Sequence, residues 1–210
     1  MNIVVISDDV FYSQGLKNYL VSQGASVFVY HCIEDLEHLS YPILLYIVAI
    51  DNNVFLQRAC QALNNVKNVL HVFDVMEMSN SSIYTGYISK RIECKSMWAS
   101  VCRFIKVGYT RKISFSATDF LIMNSIIDEQ DRIATIARRL HMPTKKVHGK
   151  KYVLMKKLGF TRPHPKNLFF CNALMVLRCN AKNIGYLKKS EGDNVHFPRW
   201  QEDISIVKGT

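Results

Sequence analysis

Five short apolar runs, interleaved with amphipathic stretches, fill the first half of the 210-residue chain and constrain its fold more than any other feature. The runs are "NIVVIS" (2–7), "ASVFVYHC" (25–32), "ILLYIVAI" (43–50), "NVLHVFDV" (68–75) and "SIYTGYIS" (82–89). Each has the length and the β-branched or aromatic content of a strand. Between the first two, "VFYSQGLKNYLVSQG" places Phe11, Leu16, Leu20 and Val21 near helical spacing and ends at Gly24, a residue that closes helices. "IEDLEHLS" (33–40) reads as a short helix, and "VFLQRACQALNNV" (54–66) and "CKSMWASVCRFIKVG" (94–108) as longer ones. Strands alternating with helices fold as a doubly wound parallel sheet, so the first half is expected to be α/β. The third run is apolar throughout, which suits a central strand covered on both faces.

Past Gly108 the pattern changes from strands to helices alone. "ATDFLIMNSIID" (117–128), "DRIATIARRL" (131–140), "TKKVHGKKYVLMKKLG" (144–159) and "PKNLFFCNALMVLR" (165–178) give a four-helix, all-α second half. Ser116 followed by Asp119 has the form of a capping box with Asp in place of Glu. Pro143 stands where the first turn of a helix tolerates proline, and Gly159 ends the third helix. The expected organisation is a first domain at 1–108, a linker at 109–112, a helical domain at 113–178 and a polar extension at 179–210.

Charge separates the halves as sharply as the element types do. Residues 1–107 hold eight Lys and Arg against nine Asp and Glu, whereas residues 108–210 hold nineteen against eight. Within the basic half, the stretch 133–160 carries ten Lys, Arg and His and no acid. Ile133, Ile136, Ala137 and Leu140 share one face of its first helix, and Val147, Leu154 and Leu158 share one face of its second. That is the layout of a helix-turn-helix: two short helices packed through small and aliphatic residues, with the turn at His141–Met142–Pro143. The second helix is left exposing Lys145, Lys146, His148, Lys151, Tyr152 and Lys156. Solvated surfaces mix both charge signs. Cations of one sign on one helix suit a duplex, where they release condensed counterions from phosphates.

Residues 115–160, "FSATDFLIMNSIIDEQDRIATIARRLHMPTKKVHGKKYVLMKKLGF", resemble the DNA-binding domain of the LuxR/NarL-type transcription regulators. The "IARRL", the "KKV" ahead of "LMKKLG" and the helix that follows all match. The resemblance implies that the third helix of the domain lies in the major groove of double-stranded DNA and that the fourth supports dimerisation. By position it puts His148, Gly149 and Tyr152 at base-reading sites, and Lys146, Lys150 and Lys151 near phosphates.

The first half resembles the receiver domain that often precedes this DNA-binding domain. A receiver needs two acids after its first strand, an acceptor Asp after its third, a hydroxyl after its fourth and a lysine after its fifth. "GYISK" supplies that lysine as Lys90. With Gly15 as the register mark, the acid positions fall on Ser7 and Asp8. Counted from Pro42, the acceptor falls near Val48, with Asp51 about three residues late and no Met-Pro after it. "HVFDV" ends without Ser or Thr, and the stretch from Asp74 to Lys90 is short for a full fourth helix. The half is therefore read as a degenerate receiver, kept for protein contacts, in which Asp51 does not accept a phosphoryl group. A degenerate receiver joined to a LuxR-type domain is similar to the auxiliary regulators of the RcsA, BglJ and RmpA type. That likeness implies an activator of transcription that works as a homodimer, or as a heterodimer with an RcsB-like response regulator, on capsule or surface genes. A phosphorylated response regulator and a protein-sequestering antagonist are the alternatives.

Other chemistries find little in the chain. Cys32, Cys60, Cys94, Cys102, Cys171 and Cys179 form no CxxC pair, and His31 and His38 beside Cys32 lack zinc spacing. No metal, cofactor or catalytic residue is expected, and the chain is not read as an enzyme. "NIVVISDD" straight after Met1 lacks the regions of a signal peptide, and "YPILLYIVAI" is about half a membrane span. A cytoplasmic protein with reduced thiols is the expectation.

Overall fold

A computed structural model describes residues 1–38, 42–63, 66, 68–75, 86–108, 115–127, 130–160 and 164–178. The expected linker at 109–112 and the extension at 179–210 lie outside these residues. The strands are β1 (Asn2–Ser7), β2 (Ser26–Tyr30), β3 (Leu45–Ala49), β4 (Val69–Phe73) and β5 (Tyr87–Ser89). They form one parallel sheet in the order β2-β1-β3-β4-β5. The fifth predicted run contributes only its last three residues as described strand, and residues 82–85 of it lie outside the described ones.

The helices are α1 (Val10–Ser22), α2 (Asn53–Ala62), α3 (Cys94–Val107), α4 (Ala117–Ile127), α5 (Ile133–Arg139), α6 (Thr144–Lys157) and α7 (Pro165–Arg178). "IEDLEHLS" gives a short helix of the 3-10 type at Glu34–His38. Helix ends follow the residues that the sequence offers. Gly24 takes φ +85° just past α1, and its N–H donates to the carbonyl of Val21 at 2.9 Å. Gly159 takes φ +92° after α6, and the next N–H, of Phe160, donates back to Met155 at 3.0 Å. A left-handed residue there lets the chain reverse while satisfying the last carbonyls.

Successive strand residues point to opposite faces. One face presents Ile3, Val5, Leu45, Ile47, Leu70, Val72 and Ile88 to Leu16 and Leu20 of α1 and to Met97, Val101 and Phe104 of α3. The opposite face presents Val4, Ile6, Val48, His71, Phe73 and Tyr87, all buried. Its aromatic end is met by the helical half of the chain. The Phe170 ring of α7 stacks on Phe73 with centroids 4.1 Å apart, and Phe160, just past α6, stacks on Tyr87 at 4.9 Å.

That contact places α7 in the interior. Phe170, Cys171, Asn172, Ala173, Leu174 and Met175 are six consecutive buried residues, so this stretch of the helix has no free face. The fourth helix was expected to support dimerisation, but over these residues it is enclosed by its own chain. The reason lies in the sheet. The apolar face beside β4 and β5 is met by Phe160 and by Phe170 of α7.

Candidate nucleic-acid interface

α4 begins with the capping box expected from Ser116 and Asp119. The Ser116 N–H donates to Asp119 Oδ2 at 2.9 Å, and the Asp119 N–H donates to Ser116 Oγ at 3.2 Å. α5 and α6 then pack on α4 through Ile122, Ile136, Ala137 and Val147, flanked by Ile126, Ile133, Leu140 and Met142. Ala137 and Ile136 are both buried, and a small residue at this point lets the two helices approach. The turn between them falls at residues 140–143, as expected. His141 adopts φ +48°, and the Met142 N–H donates to the Ala137 carbonyl at 2.8 Å, so α5 ends in a left-handed cap without a glycine.

α6 buries Val147, Leu154 and Met155, and Leu158 just beyond it. Lys145, Lys146, His148, Gly149, Tyr152 and Lys156 are exposed, while Lys150 and Lys151 are half-buried. All eight nominated residues thus lie on one helix, on its outward side or its flanks. Among the described residues two cations of the acid-free stretch find acids from outside it. Arg139 Nη2 lies 2.7 Å from Asp131 and its Nη1 donates to Ser125 Oγ at 3.2 Å. Lys150 Nζ lies 3.4 Å from the Asp119 carboxylate. Among the described residues no carboxylate pairs with Lys145, Lys146, Lys151, Lys156 or Lys157. The outward side of α6 therefore carries net positive charge with Tyr152 and Val153, each about half exposed, set among the ammonium groups. Lys157, absent from the sequence nomination, is equally exposed. Its i+11 spacing from Lys146 was the signal that could have found it.

The carboxyl ends of the strands form a second cluster, and here the register differs from the expected one. Val48, the position reached by counting from Pro42, is fully buried within β3. β3 runs from Leu45 to Ala49, so Val48 lies inside the strand. Asp51, two residues past the strand, is the acid at the site: its carboxylate lies 3.0 Å from Lys90 Nζ. Ser7 is buried and bonds the Ala49 carbonyl at 2.7 Å, so the two acids at the site are Asp8 and Asp9. Asp9 Oδ2 lies 2.9 Å from Lys90 Nζ, and Asp9 Oδ1 caps α1 by accepting the Tyr12 N–H at 2.9 Å. Asp8 accepts the backbone N–H of Asp51 at 3.1 Å and of Asn52 at 2.7 Å. The Lys90 ammonium also sits 4.7 Å above the Tyr12 ring.

These contacts tune the groups they join. The Tyr12 backbone bond, then Lys90, hold the Asp9 carboxyl below its ordinary value. Burial pulls Lys90 down, but its hydrogen bonds to Asp9 and Asp51 outweigh that and hold it above its ordinary value. Burial pushes the Tyr12 phenol up to about 12. After β4 the Asp74 carboxylate lies 2.7 Å from Arg91 Nε. The cluster thus ties the ends of β1, β3 and β5 together by internal bonds. Among the described residues no group of His, Cys, Asp and Glu is arranged to hold a metal ion. The His31 ring bonds the Ser7 carbonyl at 2.7 Å, and the His38 side chain lies outside the described ones. Nor is any described helix long and apolar enough to cross a membrane.

Searches of family models and of curated proteins return no match to this chain. Among solved structures it is similar to the response regulator StyR at 17% identity, over 81% of this chain and 96% of that one, with a TM-score of 0.38. It is similar to RcsB from Salmonella enterica serovar Typhimurium, bound to promoter rprA in the presence of phosphomimetic BeF3-, at 15% identity over 82% and 98% of the chains, with a TM-score of 0.38. It is also similar to the two-component response regulator RcsB in an RcsB-DNA complex, at 15% identity over 82% and 98%, with a TM-score of 0.43.

Proposed function

We propose that this chain is a sequence-specific DNA-binding transcription regulator that reads the major groove with α6 and neither needs phosphorylation nor catalyses a reaction. The observation that carries the reading is the outward side of α6: exposed lysines with no described carboxylate partner, on a helix seated by its apolar side on α4 and α5. Such a face is costly to leave unpaired by self-repulsion, and a duplex relieves it by counterion release. Lys145, Lys146, Lys150, Lys151 and Lys156 are assigned to the electrostatic contact, and His148, Gly149 and Tyr152 to base edges.

In this reading the chain activates transcription as a homodimer, or as a heterodimer with an RcsB-like response regulator, on capsule or surface genes. Because residues 170–175 of α7 are enclosed, the dimer contact is assigned to the sheet half. Footprinting on candidate promoters with the chain alone, and again with the co-expressed partner, tests both parts. Protection that falls steeply as salt is raised is expected. Binding indifferent to salt, or no protection under either condition, rejects the reading.

A second reading, a phosphorylated response regulator, is favoured by one observation: Asp51 reaches Lys90 at the carboxyl end of β3. Incubation with acetyl phosphate and Mg²⁺ followed by intact mass separates the two. An unchanged mass is expected, since the acids are already held by Lys90 and by backbone N–H groups; addition of one phosphoryl group revives the second reading.

A further inference from the structure

Five of the six lysines of α6 fall in two lines, Lys151 lying apart from both. Lys145, Tyr152 and Lys156 follow one side of the helix, with His148 and Gly149 between them. Lys146, Lys150, Val153 and Lys157 follow another at i, i+4, i+7 and i+11, roughly a third of a turn round the axis at 3.6 residues per turn. The first line faces outward. The second borders a shallow groove whose other wall is the start of α4, with Ser116 and Asp119 on it. One acid lies in this groove, and it is already engaged. Asp119 Oδ2 accepts the Ser116 N–H, and Oδ1 takes Lys150 at 3.4 Å. The Asp119 side chain is only 9% exposed, while Lys146 and Lys157 at the two ends of the line are open to solvent.

We infer that Lys146, Lys150 and Lys157 form a phosphate strip along one edge of α6, distinct from the line that faces the bases, and that Lys157 is a positioning contact to the DNA backbone. The inference rests on the DNA-binding reading and deepens it. A helix seated in the major groove has its outward line at the base edges and its flanks toward the sugar-phosphate walls. From Lys146 to Lys157 the strip is about 16 Å long at 1.5 Å per residue, enough to follow several phosphates of one strand. Lys150 anchors the middle of the strip to the cap of α4, so the strip and α4 keep a fixed relation.

The test uses the full chain and a random-sequence duplex of about 30 base pairs, with fluorescence anisotropy over a range of KCl concentrations. Lys157→Ala is expected to weaken binding several-fold and to lower the slope of log K against log salt by about 0.9, the value of one lost phosphate contact. Lys157→Arg is expected to restore the slope, and Lys17→Ala on α1 to leave it unchanged. Selection from a randomised duplex library is expected to return the same preferred sequence for Lys157→Ala as for wild type, because a backbone contact carries no base information. Lys157 is exposed, so a thermal melt like that of wild type is expected for the variant and keeps the comparison valid. A wild-type slope in Lys157→Ala, or an altered preferred sequence, overturns the assignment while leaving DNA binding in place. Failure of the wild-type chain to bind any duplex removes the DNA-binding reading itself, and the strip with it.

Discussion

At Asp9 a single side chain does two jobs: it caps α1 and it pairs with Lys90. Replacing it with Asn separates them, because Asn is as good a helix cap as Asp but carries no charge. The native carboxyl is held below its ordinary value of 3.8, so its contribution to stability is complete above that value and is lost as pH falls through the lower, folded value. Lys90 is held above its ordinary 10.5, so its share persists below that value and fades only as pH rises through the folded one. Asp9→Asn is therefore expected to be less stable than wild type near neutrality, with the two melting curves converging once the medium is acid enough to protonate Asp9. Thermal melts across the acid range check this, and parallel curves would show that the ion pair contributes nothing.

Gly149 offers a second comparison at this scale. A Cβ built there meets nothing within 4 Å, so no packing within the chain calls for glycine in the middle of α6. Gly149→Ala is expected to stabilise the helix by about 1 kcal/mol. If Gly149 lies against a base edge, the same change weakens specific binding while raising the melting temperature. A variant that is both more stable and equally tight would remove Gly149 from the reading face. The sequence made Gly149 visible as an oddity, since glycine inside a charged helix is unexpected. It could not tell whether the neighbour excluded by a side chain belongs to this chain or to a ligand.

At the scale of elements, the helix-turn-helix was legible and its closing detail was not. Ile133, Ile136, Ala137 and Val147 announce the packed faces by their spacing, and Pro143 announces a new start. The left-handed residue between the helices is His141, where a pattern search looks for glycine or asparagine. A β-carbon in that conformation costs roughly 1 kcal/mol or more. His141→Gly is thus expected to raise stability by up to about 1 kcal/mol, less the entropy that glycine adds to the unfolded chain. Urea denaturation reads the difference, and a loss of stability would mean that the His141 ring holds the turn by a contact of its own. The same lesson holds at the acid cluster. Apolar runs marked which segments were strands, but not where β3 begins and ends: counting from Pro42 reached Val48, inside β3, and not Asp51, past its end. Strand ends are set by hydrogen-bond partners across the sheet, here Ile3 with Leu45 and Ser7 with Ala49, and those partners are distant in sequence.

For the whole molecule, the sequence divides into an α/β half and an all-α half, and both are present. Their shared core was not foreseen, because it is made of pairs far apart in the chain: Phe73 with Phe170, and Tyr87 with Phe160. Each of these residues fits its own element, as an aromatic on a strand or on the apolar side of a helix, and nothing local distinguishes a partner across the sheet from one nearby. Residues 1–178 accordingly form one compact unit. The consequence concerns how α6 is held. Phe160 follows α6 directly and stacks on Tyr87 of the sheet, and α7 packs on Phe73, on α4 and on α6, so α6 is tied to the sheet as well as to α4 and α5. Two independent domains would loosen separately; a shared core loosens together. Phe170 is 2% exposed, and its replacement by Ala leaves a cavity costing about 3–5 kcal/mol. Hydrogen exchange read by peptide mass spectrometry is expected to speed up in Phe170→Ala for peptides of β1 and β3 and for peptides of α5 and α6 alike. Exchange that accelerates only in the helical half would mean that the aromatic stack joins two units that unfold independently, and that α6 owes its position to α4 and α5 alone.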